Sequence, residues 1–357
     1  MSKRVVHFVN MSSTPGGIEV LFPVIIKSMP DYDFKALVIR KKIENKPYIY
    51  EALNIPVQFG GNNNLIALLK VFTYVFKNRK DIFHVFNTGP YFLLAIKTAS
   101  AGKVLYSIHG TIYWRNKKQR ILRKLFWKLA LSKKFKITSN TIYSKSIFKR
   151  NISKKYPVQV IYNPIDINRF SPGNIEKKDN LFKIIYVGRL CRGKNLEKWI
   201  NVAYRLHNLL PNTYFEIYGI GPLSELLKNH IHKLNASDYI FLKGFRNDIE
   251  NVYREADLML FLSEYESFGN VVVECILCGT PALASDIPAI REIFKDFPEF
   301  ILKTGDKIED EIYNFLLNIE YFRKRALSAR ESFLKRFSIK NHIEKLQVLY
   351  GSFENQV

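Results

Sequence analysis

The sequence predicts an α/β protein built from two doubly wound domains, and three observations support this prediction. The chain of 357 residues is longer than one hydrophobic core usually organises. Short apolar segments alternate with longer helical patterns, as in parallel sheets covered by helices on both faces. A stretch rich in turn-forming residues, 161–173, interrupts this alternation, which then starts again.

Each half of the chain repeats the same order of elements. In the first half we predict a helix beginning near Ile18 and strands at Val5–Asn10, Ala36–Ile39, Ile82–Phe86, Lys103–His109 and Phe135–Thr138. In the second half we predict strands at Phe182–Val187, Tyr214–Tyr218, Ile240–Leu242, Leu258–Leu262 and Ala282–Ala284, with helices at Leu196–Leu209, Leu223–Leu234 and Asn270–Leu277. We therefore assign residues 1–165 to a first domain, 166–340 to a second, and 341–357 to a C-terminal helix packing back toward the first.

The composition excludes several classes of protein. Hydrophobic residues make up 47% of the chain, which is typical of a globular protein rather than a disordered one. No uncharged apolar run reaches the ~18–20 residues that span a bilayer, and residues 1–10 lack the cleavage site of a signal peptide. Three cysteines provide no disulfide framework. We expect a cytoplasmic protein, soluble or peripheral at the inner face of the cell membrane.

The positive charge of the chain is confined to its first half. Residues 1–175 hold 30 Lys and Arg against 7 Asp and Glu, whereas residues 176–357 hold 25 of each. This asymmetry predicts an anionic partner for the first half, which leaves open a membrane surface, a nucleic acid or an anionic substrate.

The segment Tyr113–Lys136 concentrates this charge. It contains ten Lys and Arg, no Asp or Glu, and two tryptophans, Trp114 and Trp127. Such a basic amphipathic helix suits an anionic membrane surface, or its apolar stripe packs on a sheet while its cations are merely solvated. We expect the stripe in the core and the basic face of Arg115–Lys136 against lipid or phosphate. The stripe consists of Ile121, Leu122, Leu125, Phe126 and Leu129.

The segment Glu266–Glu274 carries the sharpest chemical signal. Two carboxylates eight positions apart flank a glycine turn between a predicted strand and a predicted helix. A helix N-terminus favours an anion such as a diphosphate, and carboxylates accept hydrogen bonds from sugar or ribose hydroxyls. The structural alternative makes Ser267 a helix cap and leaves both glutamates in water.

A second segment, Val187–Asn195, ends a predicted strand with a glycine turn and two spaced cations. Arg189 and Lys194 precede the next helix, where they could neutralise a leaving diphosphate. The alternative is a basic loop whose side chains are solvated.

These two segments and six others resemble the group 1 family of retaining glycosyltransferases of bacterial surface-polysaccharide type. They follow the family's order over nearly the whole chain, with a strong match in the second half and a match only at loops in the first. The resemblance implies the GT-B architecture, in which two Rossmann-like domains face each other across a cleft. The other segments are Pro15–Gly17, Ser107–Gly110, Asn163–Asp166 with Arg169–Phe170, Gly219–Pro222, Leu242–Arg246 and Gly279–Ala282.

The resemblance also implies a role for each matched residue. Glu266 would hold the donor sugar hydroxyls and Glu274 the ribose, while His109 would lie near the reacting sugar. Arg189 and Lys194 would bind the diphosphate. The other donor-binding residues would be Gly16 and Gly17 from the first domain and Gly219, Gly221, Arg246, Phe268, Gly269, Asn270 and Val271 from the second.

The reaction implied by the resemblance retains the anomeric configuration of a UDP-sugar or GDP-sugar. No Asp or Glu stands out as a nucleophile, so we favour front-face transfer, in which the leaving phosphate oxygen accepts the acceptor's proton. We expect no metal, because the sequence shows no cluster of metal-ligating residues, and no cofactor, because the nucleotide sugar is a substrate. The expected acceptor is a glycan, lipid-linked as in the assembly of lipopolysaccharide, O-antigen or capsule.

Two other functions remain open from the sequence. A nucleic-acid-binding protein would use the basic half, but the Glu266–Glu274 segment would then have no role, and we expect no nucleic acid partner. An isomerase or epimerase of nucleotide sugars would share the donor site and need no acceptor. A product assay with donor alone separates it from a transferase.

Overall fold

The computed structural model describes residues 4–9, 21–39, 57–59, 63–110, 117–173, 181–303 and 308–353. The chain separates into two compact units, formed by residues 1–164 with 339–357 and by residues 165–338. No helix within the described ranges is both long enough and apolar enough to cross a membrane. Gly16, Gly17 and Arg115, which the sequence assigns to binding surfaces, lie outside the described residues.

The first unit contains a seven-stranded parallel sheet in the order β3-β2-β1-β4-β5-β6-β7. Strands β2 and β3 are added on one side of β1, and β4 to β7 on the other side, as in doubly wound folds. The strands are β1 (Arg4–Val9), β2 (Tyr32–Val38), β3 (Val57–Phe59), β4 (Ile82–Phe86), β5 (Val104–Ile108), β6 (Lys136–Ser139) and β7 (Gln159–Val160). Its described helices before the second unit are α1 (Phe22–Ser28), α2 (Asn64–Lys77), α3 (Pro90–Ala99), α4 (Lys117–Ala130) and α5 (Ile142–Asn151).

The second unit contains a five-stranded parallel sheet in the order β10-β9-β8-β11-β12. The strands are β8 (Phe182–Val187), β9 (Thr213–Tyr218), β10 (Ile240–Gly244), β11 (Leu258–Phe261) and β12 (Ala282–Ala284). The helices are α6 (Leu196–Leu209), α7 (Ser224–Lys233), α8 (Ile249–Glu255), α9 (Asn270–Leu277), α10 (Pro288–Ile293), α11 (Ile308–Leu317) and α12 (Ile319–Arg336), with a 3-10 turn at Pro298–Phe300.

The last helix of the chain, α13 (Ile339–Gly351), is part of the first unit. Its apolar side, including Leu346 and Tyr350, shares one buried cluster with Phe8 of β1. The Tyr350 hydroxyl forms a hydrogen bond of 2.7 Å with Nδ1 of His84 on β4. His342 Nδ1 lies 2.8 Å from the Tyr162 carbonyl oxygen, and because a carbonyl only accepts, this nitrogen carries the proton.

The structure confirms the predicted α/β fold of two Rossmann-like domains. The apolar runs are strands because both faces of each sheet are covered by helices, so that all residues of β4 and β5 are buried. Most predicted strands agree with the observed ones to within a few residues. β2 begins at Tyr32, earlier than predicted, and β3 and β7 were missed because three and two residues show no periodicity.

The predicted burial of the apolar stripe on α4 is wrong. Ile121, Leu122, Leu125 and Leu129 are exposed. The buried side of α4 is formed instead by Trp127 and Ala130, because the large indole ring packs against Tyr106 and Phe148. At 100° per residue, Trp127 lies on nearly the opposite side of the helix from the predicted stripe.

Candidate functional site

The site residues predicted in the second domain lie at the carboxyl edge of the second unit's sheet. In parallel sheets the loops after the strands meet at this edge, where ligands bind. Successive loops bring together residues that are far apart in sequence. Arg189 and Lys194 follow β8, Gly219 and Gly221 follow β9, Arg246 follows β10, and Glu266 follows β11.

Close backbone contacts between these loops explain two of the glycines. Leu190 N donates to Ile220 O at 3.0 Å, and Gly219 N donates to Gly244 O at 2.8 Å. A Cβ atom on Gly219 would lie 1.9 Å from Gly188 O, and one on Gly221 would lie 2.2 Å from Leu190 O. Both glycines are therefore required for loop packing, whatever ligand the edge binds.

We expect Gly219→Ala to destabilise the protein by at least about 2 kcal/mol, because its Cβ meets backbone and its φ is +138°. Gly244→Ala is the matched control. Its φ is +71° and no atom lies within 4 Å of the added Cβ, so about 1 kcal/mol is expected. Urea denaturation midpoints measure both. Equal losses for the two variants would contradict the steric account.

Lys194 and Glu266 form an ion pair across the loops after β8 and β11. Both side chains are largely shielded from solvent, and the Lys194 ammonium lies 5.7 Å from the ring centre of Phe261. Glu264 N donates to Gly193 O at 2.9 Å, which ties the two loops together beside the pair. An anion entering this edge would compete with Glu266 for the ammonium and release the carboxylate.

Helix α9 begins at this same edge. Its N-cap is Gly269, with φ +110° and no capping side chain, so the alternative that Ser267 is the N-cap is wrong. The first N–H groups of a helix have no partner within it, and together with the dipole they attract anions. Asn270 and Val271 form this first turn. The Phe268 ring is buried against Phe337, so Phe268 could reach a ligand only through its backbone.

Glu274 lies one turn further along α9, with its carboxylate held by a tyrosine. The Tyr253 hydroxyl of α8 donates to Glu274 Oε2 at 3.0 Å. Burial raises the pKa of Glu274 to about 7, opposed by the Tyr253 hydrogen bond and by the positive charge of Arg169. The carboxylate is therefore ionised mainly above neutral pH.

The two arginines predicted to bind the donor, Arg189 and Arg246, are exposed. Arg246 forks onto Asp248, with Nε 2.7 Å from Oδ1, and this ion pair raises the pKa of the guanidinium and lowers that of the carboxyl to about 2. Arg189 forms no ion pair with another described residue, and its carbonyl accepts from the Tyr186 hydroxyl at 3.3 Å. Arg189 is thus a cation available at the edge.

His109 follows β5 of the first unit and lines a small cavity with His84 and His342. The cavity has a volume of about 10 Å³, close to that of one water site. Burial lowers the pKa of His109 to about 3, the neighbouring His342 adds to this effect, and a hydrogen bond with Asn163 opposes it. The imidazole is neutral at pH 7, as a hydrogen-bond acceptor for a sugar hydroxyl must be.

Two families match consecutive parts of the chain. The family described as "Glycosyl transferases group 1" matches residues 168–331, and "Glycosyltransferase Family 4" matches residues 23–169. The chain belongs to the group 1 glycosyltransferases. Solved structures share the observed fold. This glycosyltransferase aligns over 97% of its length with 99% of Anabaena HepE, crystallised with UDP and glucose, at 20% identity and a TM-score of 0.82.

Curated relatives of this glycosyltransferase include two enzymes whose names specify lipid-linked substrates. It is 25% identical over 307 residues to the Escherichia coli UDP-Gal:alpha-D-GlcNAc-diphosphoundecaprenol alpha-1,3-galactosyltransferase, covering 80% of this chain and 78% of that one. It is 28% identical over 192 residues to the Campylobacter jejuni 4-alpha-N-acetylgalactosaminyltransferase named for a diphospho-undecaprenol substrate, covering 52% and 51%. The chain spans about a quarter to a half of the length of several other curated relatives.

The glycosyltransferase contains one site feature that the sequence did not reveal. Tyr253 contacts Glu274 from a different helix, 21 residues earlier in the chain, and no local spacing connects the two. Arg169, whose charge acts on Glu274, stood in a family-like segment without an assigned role. Only the folded structure shows that Tyr253 and Arg169 act on the same carboxylate.

Proposed function

We propose that this glycosyltransferase transfers a sugar from a UDP-sugar or GDP-sugar to a lipid-linked glycan, with retention of configuration, in cell-surface polysaccharide synthesis at the inner face of the membrane. The observation that carries the proposal is the Lys194–Glu266 ion pair beside the start of α9. Two cations, Lys194 and Arg189, two carboxylates and a helix N-terminus at one sheet edge suit a diphosphate joined to two sugars.

Each residue of the edge then has a role. Lys194, Arg189 and the first turn of α9 bind the diphosphate. Glu266, released from Lys194, holds the donor sugar, and Glu274 accepts hydrogen bonds from the ribose. The remaining roles stay predictions from the family: the base lies against Gly219, Gly221 and Arg246, His109 approaches the reacting sugar, and Gly16 and Gly17 approach the diphosphate.

The chemistry requires one bond to break and one to form on the same face of the sugar. The anomeric carbon leaves the phosphate oxygen and bonds to the acceptor oxygen, whose proton passes to the leaving phosphate. The positive charge of Lys194 and Arg189 stabilises the departing diphosphate, while the carboxylates fix the sugar and the ribose. The enzyme contributes position and charge rather than a nucleophile.

The lipid-linked acceptor is supported by the names of two relatives and by the charge of the chain. Both relatives are named for diphospho-undecaprenol substrates. The excess of cations in residues 1–175 suits the anionic surface in which such an acceptor is embedded.

The stereochemical outcome tests the proposed mechanism. From an α-linked nucleotide sugar we expect an α-linked product, since attack and departure share one face of the sugar. The coupling constant of the anomeric proton measures this by NMR. A β-linked product would contradict retention. An altered sugar formed from donor alone would favour the isomerase.

A further inference from the structure

Three neighbouring helices of the first unit expose large apolar side chains to solvent. Helices α2, α3 and α4 cover the same face of the seven-stranded sheet, and their inner sides share one buried cluster. On α2 the inner side is formed by Val71 and Val75. The exposed side chains on the outer sides of the three helices are Leu65, Ile66, Leu69, Phe72, Phe76, Tyr91, Ile121, Leu122, Leu125 and Leu129.

These exposed side chains lie in rows along the helices rather than at scattered positions. Leu65, Leu69 and Phe76 are 66%, 58% and 52% exposed, and their spacing places them on one side of α2, about 120° around the helix from the buried valines. Ile121 on α4 is 70% exposed. Large apolar side chains grouped in this way on neighbouring helices mark an interaction surface.

The same region is strongly basic. Residues 63–136 hold 16 Lys and Arg against a single acidic residue, Asp81. Asp81 is itself paired, with its carboxylate 2.8 Å from Nε2 of His7. The apolar stripes are therefore flanked by cations with hardly any negative charge between them.

The combination of apolar stripes and surrounding cations favours one kind of binding partner. A second copy of the same face would set its cations against like charges, and nucleic acid would leave the aliphatic side chains of α2 uncovered. A bilayer with anionic headgroups satisfies both features, since its headgroups meet the cations and its acyl boundary accepts the stripes.

We propose that the outer sides of α2, α3 and α4 form a bilayer-insertion surface, with the apolar stripe of α2 entering the acyl boundary of an anionic membrane. This extends the contact well beyond the basic helix α4. It rests on the proposed function only in that a lipid-linked acceptor requires the enzyme at the membrane. Vesicle binding without donor or acceptor tests it separately from sugar transfer.

The test is sedimentation of the full-length protein with vesicles of phosphatidylcholine, with or without phosphatidylglycerol. We expect the triple variant Leu65→Gln, Leu69→Gln, Phe76→Gln, which leaves the charge unchanged, to lower partition into anionic vesicles at least about tenfold. The control triple variant Leu209→Gln, Leu226→Gln, Leu317→Gln changes equally exposed side chains of the second unit and should bind as wild type.

A depth measurement distinguishes insertion from surface attraction. In a Leu69→Trp variant, lipids brominated on the acyl chains should quench the added fluorescence, whereas a Leu226→Trp variant should show no added quenching. Undiminished vesicle binding by the α2 variant, or absence of quenching at position 69, would overturn the proposal. A concentration-dependent dimer that the α2 variant abolishes would overturn it in favour of a second copy.

Discussion

Glu274→Gln is expected to weaken nucleotide binding about 10- to 100-fold at pH 8 while leaving the fold intact. The variant keeps the shape of the side chain but removes the charge, and a hydrogen bond to a charged acceptor is worth about 1.5–3 kcal/mol. Titration calorimetry with UDP and GDP measures the loss. The exposed Glu197, at the start of α6, supplies the control Glu197→Gln, which should bind as wild type.

The pH dependence of this variant adds a second expectation. Because Glu274 has a pKa of about 7, wild-type affinity should rise as pH increases through neutrality, and the Gln variant should show no such rise. Tyr253→Phe removes a hydrogen bond that lowers this pKa, so the rise should move to higher pH. Identical pH profiles for wild type and both variants would remove Glu274 from the nucleotide site.

As pH rises through neutrality, the stability of the fold should fall while nucleotide affinity rises. The pKa of Glu274 is higher in the folded protein than the ordinary value of 4.5, so the folded state binds more protons between these values. The free energy of unfolding therefore falls as pH rises from about 4.5 to 7. Glu274→Gln lacks this fall and should be more stable than wild type at pH 8, by about 1–3 kcal/mol. A large loss of stability would indicate a purely structural glutamate.

Lys194→Ala is expected to lower turnover about 10²- to 10³-fold, because it removes the principal charge stabilising the departing diphosphate in a partly shielded site. It also leaves the Glu266 carboxylate without its partner, which repels the incoming diphosphate. Steady-state rates at saturating donor report the effect on turnover separately from that on KM.

Lys198 provides a matched control one turn away. It is exposed on α6, four residues after Lys194. Lys198→Ala therefore removes a nearby cation and leaves the Lys194–Glu266 ion pair intact. Turnover by this control should equal that of wild type. Equal rates for Lys194→Ala and Lys198→Ala would show that general positive charge, rather than Lys194, serves the reaction.

The fold was predictable because burial on both faces makes each central strand a nearly continuous apolar run. β4 and β8 show this, each interrupted by one polar residue, His84 and Lys183, and their predicted bounds match the observed ones. The position of the site at the carboxyl edge could be predicted from the fold, because Lys194 and Glu266 follow parallel strands whose carboxyl ends lie at the same edge. Their direct contact was not predictable, because it depends on the path of two loops.

Two features could not be predicted from the sequence, for physical reasons. The Tyr253–Glu274 contact joins two helices, and helical periodicity describes only one helix at a time. On α4 the most regular apolar stripe was taken as the core side, but Trp127 and Ala130 face the core and the stripe is exposed. Periodicity finds an apolar side without showing whether protein or another apolar phase covers it.

The most direct test of the central claim, that the carboxyl edge of the second unit binds the nucleotide-sugar donor, is titration calorimetry of wild type, Glu274→Gln and Lys194→Ala with UDP and GDP. We predict one nucleotide per chain for wild type, with affinity at least about tenfold lower in each variant. Wild-type affinity in both variants, or no binding of either nucleotide to the wild-type protein, would contradict the account.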